Sequence, residues 1–177
     1  FALEHNQTEA ARWLLEQENT SIEARDCRGR TPVFFAIPNT AHFNLLVEKG
    51  VSLDLTDDLG NTVIHTAAKT NPELICNIHR RAPQISLDAI NAFGYTALHE
   101  AIIHHKSESV AHLQELGADQ HIADKHGMIP FEKALNCGSL ECAETLFRPE
   151  FLETKPHLLP VLAKYGRPKA VRFLLTH

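Results

Sequence analysis

Apolar residues recur along this chain at helical spacing, in short blocks separated by polar turns. TEAARWLLEQE (8–18), AHFNLLVEK (41–49), residues 73–81, ESVAHLQEL (108–116) and LECAETLF (140–147) are five such blocks. Leu14, Leu15, Leu45, Leu46, Ile78, Leu113 and Leu146 fall on the stripe that an amphipathic helix would bury. Gly50 and Gly117 follow two of the blocks, where a left-handed residue can close a helix without a side-chain clash. A shorter apolar stretch opened by turn residues precedes most of the blocks. The predicted unit is turn, helix, short turn, helix, extended loop.

The openings of these units are alike: DCRGRTPVFFAI from Asp26, DDLGNTVIHTAA from Asp57, NAFGYTALHEAI from Asn91 and DKHGMIPFEKAL from Asp124. Their shared form is Asp/Asn-x-x-Gly-x-Thr-x-apolar-x-x-Ala. Gly29, Gly60, Gly94 and Gly127 are 31, 34 and 33 residues apart, and self-similarity at that period marks a solenoid of stacked units.

These motifs resemble the ankyrin-repeat family, whose repeat opens with a TPLHxA-like stretch. Thr31-Pro32-Val33-Phe34, Thr62-Val63-Ile64-His65, Thr96-Ala97-Leu98-His99 and Ile129-Pro130-Phe131-Glu132 are its variants here, and Gly117-Ala118-Asp119 matches the family's closing GAD. The resemblance implies an all-α solenoid of helix-turn-helix units with projecting β-turn or hairpin loops. It divides the chain into a partial repeat (1–25), repeats 26–56, 57–90, 91–123 and 124–152, and a degenerate terminal repeat (153–177). The pattern departs from the family near Pro38, where the first full repeat is short, at Ala82-Pro83 in place of Gly-Ala, at Ile129 in place of Thr, and between Arg148 and Lys155.

Composition adds limits. The chain has 177 residues, 44% of them hydrophobic and 22% charged, with a formal charge of -5, which suits a globular array and gives no basic surface for nucleic acid. Lys164, Arg167, Lys169 and Arg172 are too sparse to change that. No apolar run is long enough to insert in a membrane. Cys27, Cys76, Cys137 and Cys142 form no CxxC pair and are expected as reduced thiols in a cytoplasmic setting. Phe1 begins without a cap, so the chain is expected to be part of a longer one.

One stretch invites a catalytic reading. ALHEAIIHH (97–105) approaches the HExxH of zinc hydrolases, which needs two histidines four residues apart on one helical face. His104 lies about 140° around the helix from His99 and His105 about 120° the other way, so neither shares a metal with it. In the repeat register His65 and His99 instead take the Thr-x-x-His position, which the resemblance implies is structural. His104 and His105 are expected at a solvated helix end. Cys142 falls on a buried stripe, where a free thiol packs as a small hydrophobe. No catalytic, cofactor or metal site is expected.

The remaining candidate is a binding surface. The turns carry Cys27, Arg28 and Arg30; Asp58, Leu59 and Asn61; Ala92, Phe93 and Tyr95; and Lys125, His126 and Met128. Leu59, Phe93, Tyr95 and Met128 are expected as apolar contacts on exposed tips, with Asn61 and His126 beside them and Arg28 and Arg30 forming a basic first tip. The expected partner is another protein, or another domain of the same chain. The expected function is a non-catalytic scaffold using its concave face and turns. The alternative is a scaffold or targeting segment of a larger enzyme with its catalytic domain elsewhere, such as a bacterial effector working in host cytosol.

Overall fold

The computed structural model describes residues 21–148, 159–160, 163 and 168–176. Nine helices are named here: α1 Pro32–Ala36, α2 Thr40–Glu48, α3 Val63–Thr70, α4 Glu73–Arg81, α5 Ala97–Ile103, α6 Ser107–Glu115, α7 Pro130–Cys137, α8 Leu140–Leu146 and α9 Pro168–Thr176. The described residues contain no strand. The predicted helix over 8–18 lies outside the described residues.

Local chemistry sets the helix starts. Thr62 and Thr96 hold extended backbone before α3 and α5, and the ring of the histidine three residues on reaches back to the threonine N–H. At the head of α7, Ile129 cannot cap with its side chain, and Glu132 Oε2 accepts from Ile129 N–H at 3.0 Å instead. This is the reciprocal half of a capping box. Asn39 Oδ1 accepts from the backbone of Ala41 and His42, which starts α2 at Thr40, one residue before the periodicity predicted. Helix α6 likewise runs one residue earlier than its apolar block, and α8 stops at Leu146.

Ends follow two routes. Gly50, Gly117 and Gly138 have φ of 80°, 89° and 74°, the left-handed closure that glycine permits. Where Ala82-Pro83 stands, α4 closes through Ala82 at φ -135°, and the proline that follows cannot continue a helix.

Within each unit the first helix packs on the second, α1 on α2 through α7 on α8. Between units the first helices stack as α1, α3, α5 and α7, and the second helices α4, α6 and α8 stack in a parallel layer. The core lies between the layers. Ala67, Ala101 and Ala134 are fully buried on the first helices, beside Ile64, Leu98 and Phe131. Leu46, Ile78, Leu113 and Leu146 close the core from the second helices, as the helical stripe predicted. Small side chains at every second-turn position let neighbouring first helices approach closely. Phe147 meets Phe173 of α9 edge-on at 5.9 Å, which carries the core to the last helix. Cys142 is fully buried, and burial pushes its thiol up.

Candidate functional site

Four projecting turns begin at Asp26, Asp57, Asn91 and Asp124, and all four are built alike. The first residue's Oδ1 accepts from the backbone N–H groups two and four residues on: Arg28 and Arg30, Leu59 and Asn61, Phe93 and Tyr95, His126 and Met128, at 2.8 to 3.0 Å. Its carbonyl accepts from the glycine N–H, and its own N–H donates to the carbonyl of the fifth residue. A short side-chain acceptor is what such a turn requires, which is why only Asp or Asn opens it.

The second oxygen of each opening carboxylate also finds a partner. Arg30 donates to Asp26 Oδ2, Asn61 Nδ2 to Asp57 Oδ2 at 2.9 Å, and Lys133 Nζ to Asp124 Oδ2 at 2.9 Å. Burial against the turn acts to raise the Asp26 carboxyl, but the Arg30 guanidinium and the backbone N–H groups of Arg30 and Arg28 prevail and bring it to about 2. At Asp124 burial is likewise outweighed, chiefly by Lys133, and the carboxyl is lowered. Lys133 is raised in turn, its own burial outweighed by bonds to Asp124 and to the Tyr95 hydroxyl.

Turns are tied to their neighbours. Asp58 N–H donates to Arg28 O at 2.9 Å, and Ala92 N–H to Leu59 O at 2.7 Å. Arg25 Nη1 bridges Gly29 O and Thr56 O. Deeper down, His65 Nε2 donates to Tyr95 O at 3.0 Å and His99 Nε2 to Met128 O at 3.1 Å. Their Nδ1 atoms accept from Thr62 and Thr96 N–H, so both rings are neutral with the proton on Nε2. Burial lowers both histidines against the opposing pull of those carbonyls.

Both His99 nitrogens are therefore occupied by the fold. His104 caps α5 and lies 3.7 Å from Glu100, while His105 adopts φ 55° in the turn beyond. Among the described residues no group of three His, Cys, Asp or Glu side chains is arranged to hold a metal.

The turns expose their residues selectively. The third residue of each, Arg28, Leu59, Phe93 and His126, is exposed, with Leu59 at 47% and Phe93 at 50%. The fifth, Arg30, Asn61, Tyr95 and Met128, folds back toward the helices. Asn61 is only 5% exposed. It is thus not a tip residue: its amide donates to Asp57 and its carbonyl accepts from Asn91 Nδ2 at 2.9 Å. Tyr95 is half-buried, stacked between Phe93 and His99 at 5.8 Å from each, with Lys133 against its ring and hydroxyl. Met128 is half-buried beside Asn136.

Sequence reasoning overlooked Lys133 and Ile90. A lysine among Phe131, Ala134 and Leu135 on the buried side of a helix is the signal that marked Lys133 for a buried partner. Ile90, just ahead of the third turn, is another large apolar side chain left 60% exposed and had no periodicity to flag it.

The comparisons with known proteins agree with this architecture. The family described as ankyrin repeats (3 copies) matches residues 1–80. The "Probable 26S proteasome regulatory subunit p28" of Saccharomyces cerevisiae is 32% identical over 139 residues, covering 75% of this chain and 61% of that protein. Protein phosphatase 1 regulatory subunit 27 of Mus musculus is 39% identical over 66 residues, 37% of this chain and 43% of that one. This chain therefore spans less than two-thirds of either relative. A solved ankyrin repeat domain from Acinetobacter baumannii superposes with a TM-score of 0.69 at 27% identity, over 82% of this chain and 76% of that one. With the recurring turns, the threonine-histidine ties and the two helical layers, these likenesses identify the chain as a member of the ankyrin-repeat family and a protein-interaction repeat scaffold.

Proposed function

We propose that the array holds a protein partner along its row of turns and adjoining concave face, with no chemistry of its own. The observation that carries this is the outward row Arg28, Leu59, Phe93 and His126, in which two large apolar side chains stand about half-exposed on adjacent turns. The Ala92-to-Leu59 backbone bond fixes the spacing of those two turns. Phe93 is pre-positioned by its stack on Tyr95, so little ordering cost accompanies its use as an anchor. Tyr95 and Met128 support the row from behind, Arg30 flanks the first turn, and Asn61 serves through the turn that it braces. The four free thiols support a reducing compartment as its working place. No helix among the described residues is long and apolar enough to cross a membrane.

Phe93→Ser, with Leu59→Ser as a second variant, tests the proposal. A partner recovered by affinity purification with the intact protein is expected to bind the Phe93→Ser variant tenfold or more weakly, as aromatic anchors contribute about 2 kcal/mol or more. Unchanged affinity in a variant with unaltered helical signal and melting temperature removes the row from the interface.

A further inference from the structure

Between the first and second turns lies a groove of about 650 Å³. Phe34, Phe35 and Leu59 supply apolar walls, and Arg28, Arg30 and Lys69 ring it with positive charge. The groove opens at the joint where the histidine tie is missing. Phe34 stands where His65 and His99 stand in the following units and cannot donate across to the next turn. Thr31 Oγ1, the counterpart of the threonine hydroxyls that meet those histidines, is buried with no hydrogen-bond partner among the described residues.

From this geometry we infer that the groove is the subsite for an acidic peptide segment of the partner carrying one large apolar side chain. The inference rests on the array being a protein-binding surface and adds the chemistry of what it binds. Charge decides the occupant. The charge of Arg30 is met by Asp26, so among the described residues the unpaired cations of the lining are Arg28 and Lys69, facing Asp57 and Asp58 in a chain whose formal charge is -5. Asp57 is engaged by three N–H donors of its own turn. Arg30 is held against Asp26 and over the Phe35 ring, 4.3 Å from its centroid, a rigid wall beside which an aromatic or aliphatic side chain can seat. Arg28 and Lys69 make no ion pair among the described residues, which leaves their charge for carboxylates of the incoming segment. Asp58, exposed at the lip, opposes that segment and selects against excess negative charge.

The probe is the synthetic peptide acetyl-Glu-Glu-Phe-Glu-Glu-amide, titrated into the 15N-labelled 177-residue chain and followed by amide chemical shifts. Shifts centred on Arg28, Leu59 and Lys69 are expected, weakened at least threefold by Lys69→Glu and strengthened by Asp58→Asn. The Phe35→Ala variant reads the apolar wall and is expected to weaken binding without altering its salt dependence. Absence of shifts at millimolar peptide, shifts scattered over the surface, or larger shifts from acetyl-Lys-Lys-Phe-Lys-Lys-amide would each overturn the assignment. The two proposals fail separately. Peptide binding that survives alongside an inert Phe93→Ser sinks the turn row alone, whereas a partner lost in Phe93→Ser with no peptide shifts sinks the groove alone.

Discussion

His99 shows how one side chain can serve three local demands at once. Its Nδ1 accepts from Thr96 N–H and its Nε2 donates to Met128 O in the next unit, while its ring backs Tyr95. His99→Ala leaves the Met128 carbonyl without its donor and opens a void, so it should cost about 2–4 kcal/mol, read as a fall in the urea midpoint at constant slope. His65 and His99 also predict a pH dependence. Both are held below the ordinary histidine value by burial, so the unfolded chain binds protons more readily than the folded one. Their contribution is then fully present above about pH 6.5 and is lost progressively as pH falls below it toward the depressed folded values. Urea midpoints measured from pH 7.5 down to pH 5 should decline across that window, and the decline should shrink in His99→Gln. A flat profile would mean that the rings are not buried neutral. Buried Lys133 makes a parallel case. Lys133→Met strands the Asp124 carboxylate and should cost about 3 kcal/mol. Adding Asp124→Asn should restore most of that, because Asn91 already opens the neighbouring turn with a neutral amide.

The turns themselves depend on glycine for two separable reasons, and Gly94 and Gly117 pull them apart. Both have positive φ, at 75° and 89°, but a Cβ on Gly94 would come 2.8 Å from Lys125 N, whereas one on Gly117 meets nothing within 4 Å. Gly117→Ala should therefore cost only the backbone term of about 1 kcal/mol, and Gly94→Ala clearly more, since the third and fourth turns must separate. Thermal melts of the two variants side by side check the order, and equal losses would refute it. Such elements were legible in the sequence because each is set by short-range chemistry. An Asp or Asn, a glycine three residues later, a threonine and a helical apolar stripe each act on residues within a turn or two. The exposure of individual turn residues was not legible. Leu59 and Asn61 look equivalent in a list of turn positions, yet one projects and the other is buried. That difference comes from its own turn and the turn after: Asn61 bonds to Asp57 within its own turn and to Asn91 in the next, and no local pattern records the second contact. Arg148 to Lys155, where the motif fades, offered no such chemistry to read.

Stacked units contact mainly their neighbours, so the stability of the array is close to a sum of unit and joint contributions, and its joints are unequal. The joint from the second unit to the third has the His65 bond to Tyr95 O and the buried Asn91-to-Asn61 bond; that from the third to the fourth has His99 to Met128 O and Lys133 to the Tyr95 hydroxyl. The joint from the first to the second has the outer bond of Asp58 to Arg28 and the Asn71 amide bonds to Ile37 O and Thr40 Oγ1, with Phe34 at the histidine position and the Thr31 hydroxyl unpartnered among the described residues. Opening at that joint breaks no histidine tie, and α1 packs on α3 less extensively than α3 packs on α5 or α5 on α7. Hydrogen exchange should then report α1 and α2 opening well below the global unfolding free energy, with α3 to α6 protected up to it. His99→Ala supplies the control, since it copies the defect one joint along: protection of α7 and α8 should fall toward that of α1, while α1 itself stays unchanged. Uniform protection across all four units, or a loss in α1 on His99→Ala, would show that the array opens as one body and that the missing tie has no consequence. A soft first joint next to a fixed pair of turns at Leu59 and Phe93 would let the proposed acidic segment enter between the first two turns without disturbing the apolar row beside it.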